Sequence, residues 1–203
     1  MFSYACFKNL LSALNDKLKK QELRIEIFAI GGFAMMCNAK SYGFDSRGLS
    51  IDIDSYERYS DDILSLVDEV STDFGILTER WLNSHWYNKK DGFDEIIETY
   101  PNWRWSKSED LTFSNITLYY ASIEGLLKMK LSAINEKLEL DFLGKELRFN
   151  NRSIGSSVRK NDLMDVKIML DVLEEENLMA IKNAHIKTVL NHYPLAYEYL
   201  KEN

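Results

Sequence analysis

Ser50-Ile51-Asp52-Ile53-Asp54 puts two carboxylates two residues apart. In an extended chain alternate side chains share a face. Ser50, Asp52 and Asp54 therefore project together, and Ile51 and Ile53 project the other way. Two carboxylates at that spacing repel each other, so such a pair stands in solvent or sits on a cation. Upstream, Gly31-Gly32 closes the apolar run RIEIFAI, residues 24 to 30. Glycines there let the backbone approach a bulky anion, and a helix starting at that turn aims its free amides at it. Oxygen ligands on a strand, with a glycine turn nearby to admit phosphates, are what a Mg²⁺-nucleotide site needs. Each piece also has a plainer reading. D-x-D arises on the polar face of any alternating strand, Gly-Gly is a tight strand-to-helix turn, and Ser50 is either a phosphate donor or a polar strand residue.

The elements that must carry these residues follow from periodicity. Residues 2 to 20 predict an amphipathic helix, with Phe2, Phe7, Leu10, Leu11, Leu14 and Leu18 at helical spacing and Lys17, Lys19 and Lys20 in its last turn. Residues 24 to 30 predict a central strand, 33 to 40 a short helix, 41 to 48 a loop, 50 to 56 a strand and 60 to 74 a helix. All four tryptophans fall between residues 76 and 105. They form either a core layer or a platform for stacking a base, with His85 and Arg104 as polar handles. Residues 111 to 120 predict a strand pair turning at Ser114-Asn115. Ser122 is placed to cap a helix over 122 to 135. A hairpin is expected over 138 to 149, turning at Gly144-Lys145, then an exposed loop to 158. Helices follow over 160 to 175 and 176 to 190, and a last one opens at Pro194.

The bulk numbers narrow the classes. A chain of 203 residues that is 45% hydrophobic and 12% aromatic supports a real core. A net charge of −7 argues against broad electrostatic binding to nucleic acid, though a single held RNA end stays open. Cys6 and Cys37 sit in apolar surroundings and read as reduced core thiols. No zinc spacing, basic-then-apolar leader or membrane-length apolar run is present, so a cytoplasmic protein with no membrane partner is expected. His85, His185 and His192 have no partners that would make a catalytic triad.

The order strand, Gly-Gly, short helix, loop, Asp-x-Asp strand resembles the nucleotidyltransferase superfamily of the DNA-polymerase-β type. AIGGFAMM, Arg47 and SIDID look like its AbiEii-type and related bacterial families. DFGILTERWLN (73 to 83) is similar to the Trp-Leu-Asn segment of some stand-alone members. SIEGLLKMKLSA (122 to 133) and RKNDLMDV (159 to 166) are similar to the lysine helix and the following acidic helix. The resemblance covers about residues 25 to 172. It implies that Gly31, Gly32, Ser50 and Arg47 contact the triphosphate and that Asp52 and Asp54 hold Mg²⁺, with Mn²⁺ as the alternative. No residue from 111 to 120 is acidic, and the resemblance supplies Asp162 or Asp165 in place of a third strand carboxylate. Lys130 rather than Lys128 would neutralise phosphate charge. The plainer reading of Lys130, Asp162 and Asp165 is an ion pair and helix-terminus charge.

The implied fold is α+β: a mixed-sheet nucleotidyltransferase core with helices packed on it (1–121), then a mainly helical part (122–203) completing the active-site cleft. The implied reaction moves an NMP from an NTP such as ATP to a hydroxyl acceptor, a tRNA end, a protein or a small molecule, with pyrophosphate leaving in line. A cognate toxin or antitoxin protein is the implied partner, in a toxin–antitoxin or phage-defence pair. The competing class is a nucleotidyltransferase-fold binding or regulatory module without the chemistry. A third reading is a structural helical protein whose Asp-x-Asp is incidental.

Overall fold

The computed structural model describes residues 1–44, 48–76, 80–83, 105–142, 147–149, 152–154, 160–175 and 190–202. The chain divides into two compact units, Met1–Leu126 and Leu127–Asn203.

The first unit is α+β. Helix α1 (Tyr4–Lys20) starts on Ser3, whose hydroxyl accepts from the Cys6 amide, and buries Phe7, Leu10, Leu11, Leu14 and Leu18. Strand β1 (Ile25–Ile30) alternates: Ile25, Ile27 and Ala29 are buried, whereas Glu26 is exposed and Phe28 half-buried. Helix α2 (Gly31–Tyr42) begins on the residue after β1 and buries every side chain from Phe33 to Ala39. A helix apolar all round belongs in an interior. Its one amide, Asn38, is satisfied there by donating to the carbonyls of Ala34 and Ala121, both at 2.9 Å. Gly43, at φ +76°, ends the helix in the left-handed conformation that a bare residue adopts without strain.

Strand β2 (Ile53–Ser55), helix α3 (Asp61–Asp73), strand β3 (Leu82–Asn83), strand β4 (Trp105–Lys107) and strand β5 (Ile116–Ala121) complete the unit. The sheet runs β3-β2-β1-β5-β4. It is mixed: β1 is parallel to β5 and antiparallel to β2, β2 is parallel to β3, and β4 is antiparallel to β5. The turn into β5 is fastened by Asn115, whose amide donates to Asn15 at 2.9 Å and whose side chain donates to the Leu23 carbonyl at 2.7 Å. Trp81 is fully buried, as a core layer requires. Half-buried Trp105 meets Phe28 edge-on with ring centroids 5.1 Å apart, and Phe28 stacks on Tyr119 at 4.9 Å. Burial pushes the Cys37 thiol far above its ordinary range, which keeps it protonated and inert; Cys6 is half-buried.

The second unit takes up helix α4 (Ile123–Phe142) from Leu127 onward, and holds a hairpin of β6 (Leu147–Phe149) and β7 (Arg152–Ile154), helix α5 (Lys160–Glu175) and helix α6 (Pro194–Glu202). Asn135 of α4 accepts from the amides of Leu195 and Ala196 at 3.2 and 3.3 Å, and so caps α6 from a distance in sequence.

Several expectations need correcting. The strand over 50 to 56 shrinks to Ile53–Ser55, because Ser50 is bridged to Phe2 instead. Ile51 is consequently 57% exposed and does not share a buried face with Ile53. Residues 111 to 120 are not a strand pair. Only 116–121 is extended, and its antiparallel partner is β4. The helix capped by Ser122 continues to Phe142, so the hairpin moves on to 147–154, and part of the expected loop is strand β7. The predicted helix over 176 to 190 lies almost wholly outside the described residues. Among the described residues no helix is long and apolar enough to cross a membrane.

Asp110, just before β5, joins α1 to α2 by pairing with Lys8 at 2.5 Å and with Lys40. The Lys40 and Lys8 ammonium groups hold its carboxyl well below the usual carboxylate range. A depressed folded-state pKa stabilises the fold above the unfolded value of about 3.9 and loses that contribution as pH falls below it. The pair is largely exposed, so the effect is small. Asp110→Asn is expected to cost at most about 1 kcal/mol in low salt at pH 7. In urea unfolding, the gap between wild type and variant should stay constant from pH 8 to 5 and close below about pH 4. A gap that widens on acidification would contradict this assignment.

Candidate functional site

The site is built where strands β1, β2 and β3 come level. Ile30 of β1 pairs with Asp54 of β2, and Asp54 pairs with Asn83 of β3, so the three residues form one row across the sheet. The chain must turn from β1 into α2 with no linking residue. Gly31 does this at φ +64°. A methyl group added to Gly31 would stand 2.9 Å from Oδ2 of Asp54. The bare glycine is thus the space that the Asp54 carboxylate occupies, at the N-terminus of a helix with no side-chain cap. Negative charge is favoured there by the helix dipole.

Asp52 lies one residue before β2 and is half-buried, as is Asp54. Its Oδ2 accepts from Nδ2 of Asn83 at 2.7 Å. Ser50 donates its hydroxyl to the carbonyl of Asp52 at 3.1 Å, so that oxygen already serves the local turn. The register of β3 is secured by Ile53, whose amide donates to the Trp81 carbonyl at 2.7 Å. It is secured again by Arg80, which grips Asp68 of α3 through two hydrogen bonds of 2.8 and 2.7 Å. Gly31, Ser50, Asp52 and Asp54 are therefore brought together in the first unit. Gly32 follows as the second residue of α2. Arg47, His85 and Arg104 lie outside the described residues, as does most of the aromatic segment.

Lys130, Asp162 and Asp165 form a set of their own within the second unit. The Lys130 ammonium lies 2.6 Å from Oδ1 of Asp162 and 3.1 Å from Oδ2 of Asp165, and Lys137 approaches Asp162 at 3.8 Å. Asp165 is 1% exposed, so this is an interior ion network. The three-residue spacing of Asp162 and Asp165 puts both carboxylates on one face of α5. Lys128 is buried as well.

Asn83 is the site residue that sequence reasoning missed. Trp81-Leu82-Asn83 stood out only as part of a resemblance, and nothing local shows that this amide faces a carboxylate 31 positions earlier. Two carboxylates are oxygen ligands of the kind a hard divalent cation takes, and the missing Cβ of Gly31 gives the Asp54 carboxylate room. Among the described residues no group of three or more His, Cys, Asp or Glu side chains converges, so the set stops at the pair.

Gly31→Ala is expected to cost about 2 kcal/mol or more, from the left-handed backbone and from the carboxylate. Asp54→Ala in that background should return part of the loss, read as a coupling in a double-mutant cycle of unfolding free energies. Simple additivity would mean that the two residues do not meet. Lys130→Met should destabilise the second unit by about 3–5 kcal/mol, because it takes an ammonium away from two interior carboxylates. A melting temperature unchanged by that substitution would show the network to be solvated. Compared with family models, with curated proteins and with solved structures, the chain finds no match.

Proposed function

We propose that the chain is a Mg²⁺-dependent nucleotidyltransferase of the DNA-polymerase-β type, akin to the AbiEii-type families, which moves an NMP from an NTP to a hydroxyl acceptor. The observation that carries this reading is the contact of bare Gly31 with the Asp54 carboxylate, beside Asp52, at the start of a helix. The glycine turn and the Asp-x-Asp pair are adjacent in space although 20 residues of chain separate Gly31 from Asp52. The mixed sheet, with β1 parallel to β5 and antiparallel to β2, supports the same fold.

In this mechanism Asp52 and Asp54 would hold the cation, with Mn²⁺ as the alternative to Mg²⁺. Bound Mg²⁺ supplies charge neutralisation on the phosphate oxygens. The start of α2 is a helix N-terminus without a side-chain cap, and such an end favours anionic oxygen. Gly31, lacking a side chain, leaves room for the Asp54 carboxylate at the start of that helix. Asn83 holds Asp52 in one orientation. The acceptor is a tRNA end, a protein or a small molecule, and the net charge of −7 favours the protein over a long RNA. A cognate toxin or antitoxin protein fits the same reading.

The second reading is a module of this fold that binds nucleotide without turning it over. Two observations favour it: the Lys130 ammonium is engaged by Asp162 and Asp165, and no third metal ligand converges among the described residues.

Incubation with labelled ATP, CTP, GTP and UTP, Mg²⁺ and a cell lysate tests the first reading. A labelled product is expected, and Asp52→Asn or Asp54→Asn should lower its formation at least about 100-fold while the protein still folds. Full turnover by Asp52→Asn would end the mechanism. Under the module reading no product forms, but Mg²⁺-nucleotide raises stability by about 2.7 kcal/mol at a hundred times its Kd.

A further inference from the structure

We infer that the first unit holds a second binding site, a pocket for a small zwitterion of amino-acid size, with the ligand's carboxylate on Arg24 and its ammonium on Glu26. The site lies where the parallel strands β1 and β5 begin, at the opposite end of β1 from Gly31, and it does not depend on the role of Asp52 and Asp54. Arg24, Ile25, Glu26, Ser114, Asn115 and Thr117 line a volume of about 270 Å³ there.

The floor of this pocket is rigid. Ile25 is buried, and its amide donates to the Asn115 carbonyl at 3.0 Å. Asn115 is itself tied to Asn15 and Leu23, and its side-chain oxygen accepts from the Ser114 hydroxyl at 2.8 Å. Arg24 and Glu26 stand on either side of buried Ile25 and are both exposed. Thr117 is level with Glu26 on the neighbouring strand. Among the described residues the side chains of Arg24, Glu26 and Thr117 enter no ion pair and no hydrogen bond. An arginine and a glutamate so close in sequence could have closed on each other. Instead both line the pocket unpaired.

That pair of charges selects the ligand. A guanidinium offers a planar fork of donors that matches a carboxylate, and an ionised glutamate accepts from an ammonium. Glu26 repels a lone anion and Arg24 repels a lone cation. A molecule carrying both signs answers both, and the Thr117 hydroxyl can donate to its carboxylate or accept from its ammonium. The volume falls just below the range of about 300–1,000 Å³ that takes a drug-sized ligand, which suits a single amino acid.

The test is a titration of the full ¹⁵N-labelled chain followed through its amide NMR signals. The probes are glycine, L-alanine, β-alanine and γ-aminobutyrate, with acetate and methylammonium as single-charge controls. At least one zwitterion should shift the amides of Glu26, Asn115 and Thr117 along a saturating curve, with a Kd of about 1 mM or below. Acetate and methylammonium should bind about tenfold more weakly or worse, and Arg24→Gln and Glu26→Gln should each weaken the zwitterion by about tenfold or more. Both side chains are exposed, so the variants should keep the fold, and unchanged signals from buried residues check that. The comparison of zwitterions with single-charge ions on wild type decides the matter even without the variants. The inference is overturned if no zwitterion approaches saturation by about 20 mM, if acetate or methylammonium binds as tightly as the zwitterion, or if either folded variant binds as wild type does.

Discussion

A strand that becomes a helix without a connecting residue imposes a backbone conformation that only a bare residue takes easily. Gly31 meets that demand, and its missing side chain also leaves the volume in which the Asp54 carboxylate sits. One residue thus fixes the direction of α2 and the distance between that helix's amides and an acidic strand. Much of the first unit is arranged around this junction. The helix it launches is interior on all sides, and the strand that precedes it is the middle of the sheet.

The first unit handles charge differently from the second. At Asp52 one partner is the amide of Asn83, a neutral donor that orients the carboxylate. Around Asp162 and Asp165 the Lys130 ammonium neutralises interior charge, with Lys137 also 3.8 Å from Asp162. The second arrangement turns charge into internal cohesion.

Local patterns were the readable part of this chain. The α1 stripe, the Ser122 cap and the α5 helix over 160 to 175 appear where periodicity and capping chemistry place them, because each depends on residues within a turn or two. Strand limits did not follow, because they are settled by distant partners. Phe2 takes the pairing of Ser50, and β4 rather than residues 111 to 115 takes the edge of β5. The glycine turn and the Asp-x-Asp pair were legible as candidates, and their adjacency is a property of sheet register. Asn83 was hidden for the same reason: an asparagine in a short strand carries no mark of which side chain lies beside it. The ion pairing of Lys130 was one of two open readings, and spacing alone does not separate a lysine that meets a phosphate from one that meets an aspartate.

The parallel pairing of β1 with β5 has a consequence in time. Ile25 is matched with Ile116, 91 positions later, and no hairpin can bring the two together. During synthesis β1 leaves the ribosome long before its central neighbour exists. Until β5 arrives, β1 has only elements made earlier to cover it, α2 and its antiparallel neighbour β2 among them. Closing so long a loop is slow, which makes this pairing a late step in folding. The helix launched by Gly31 is then more than a wall of the finished core: it covers a half-paired central strand that could otherwise find another chain.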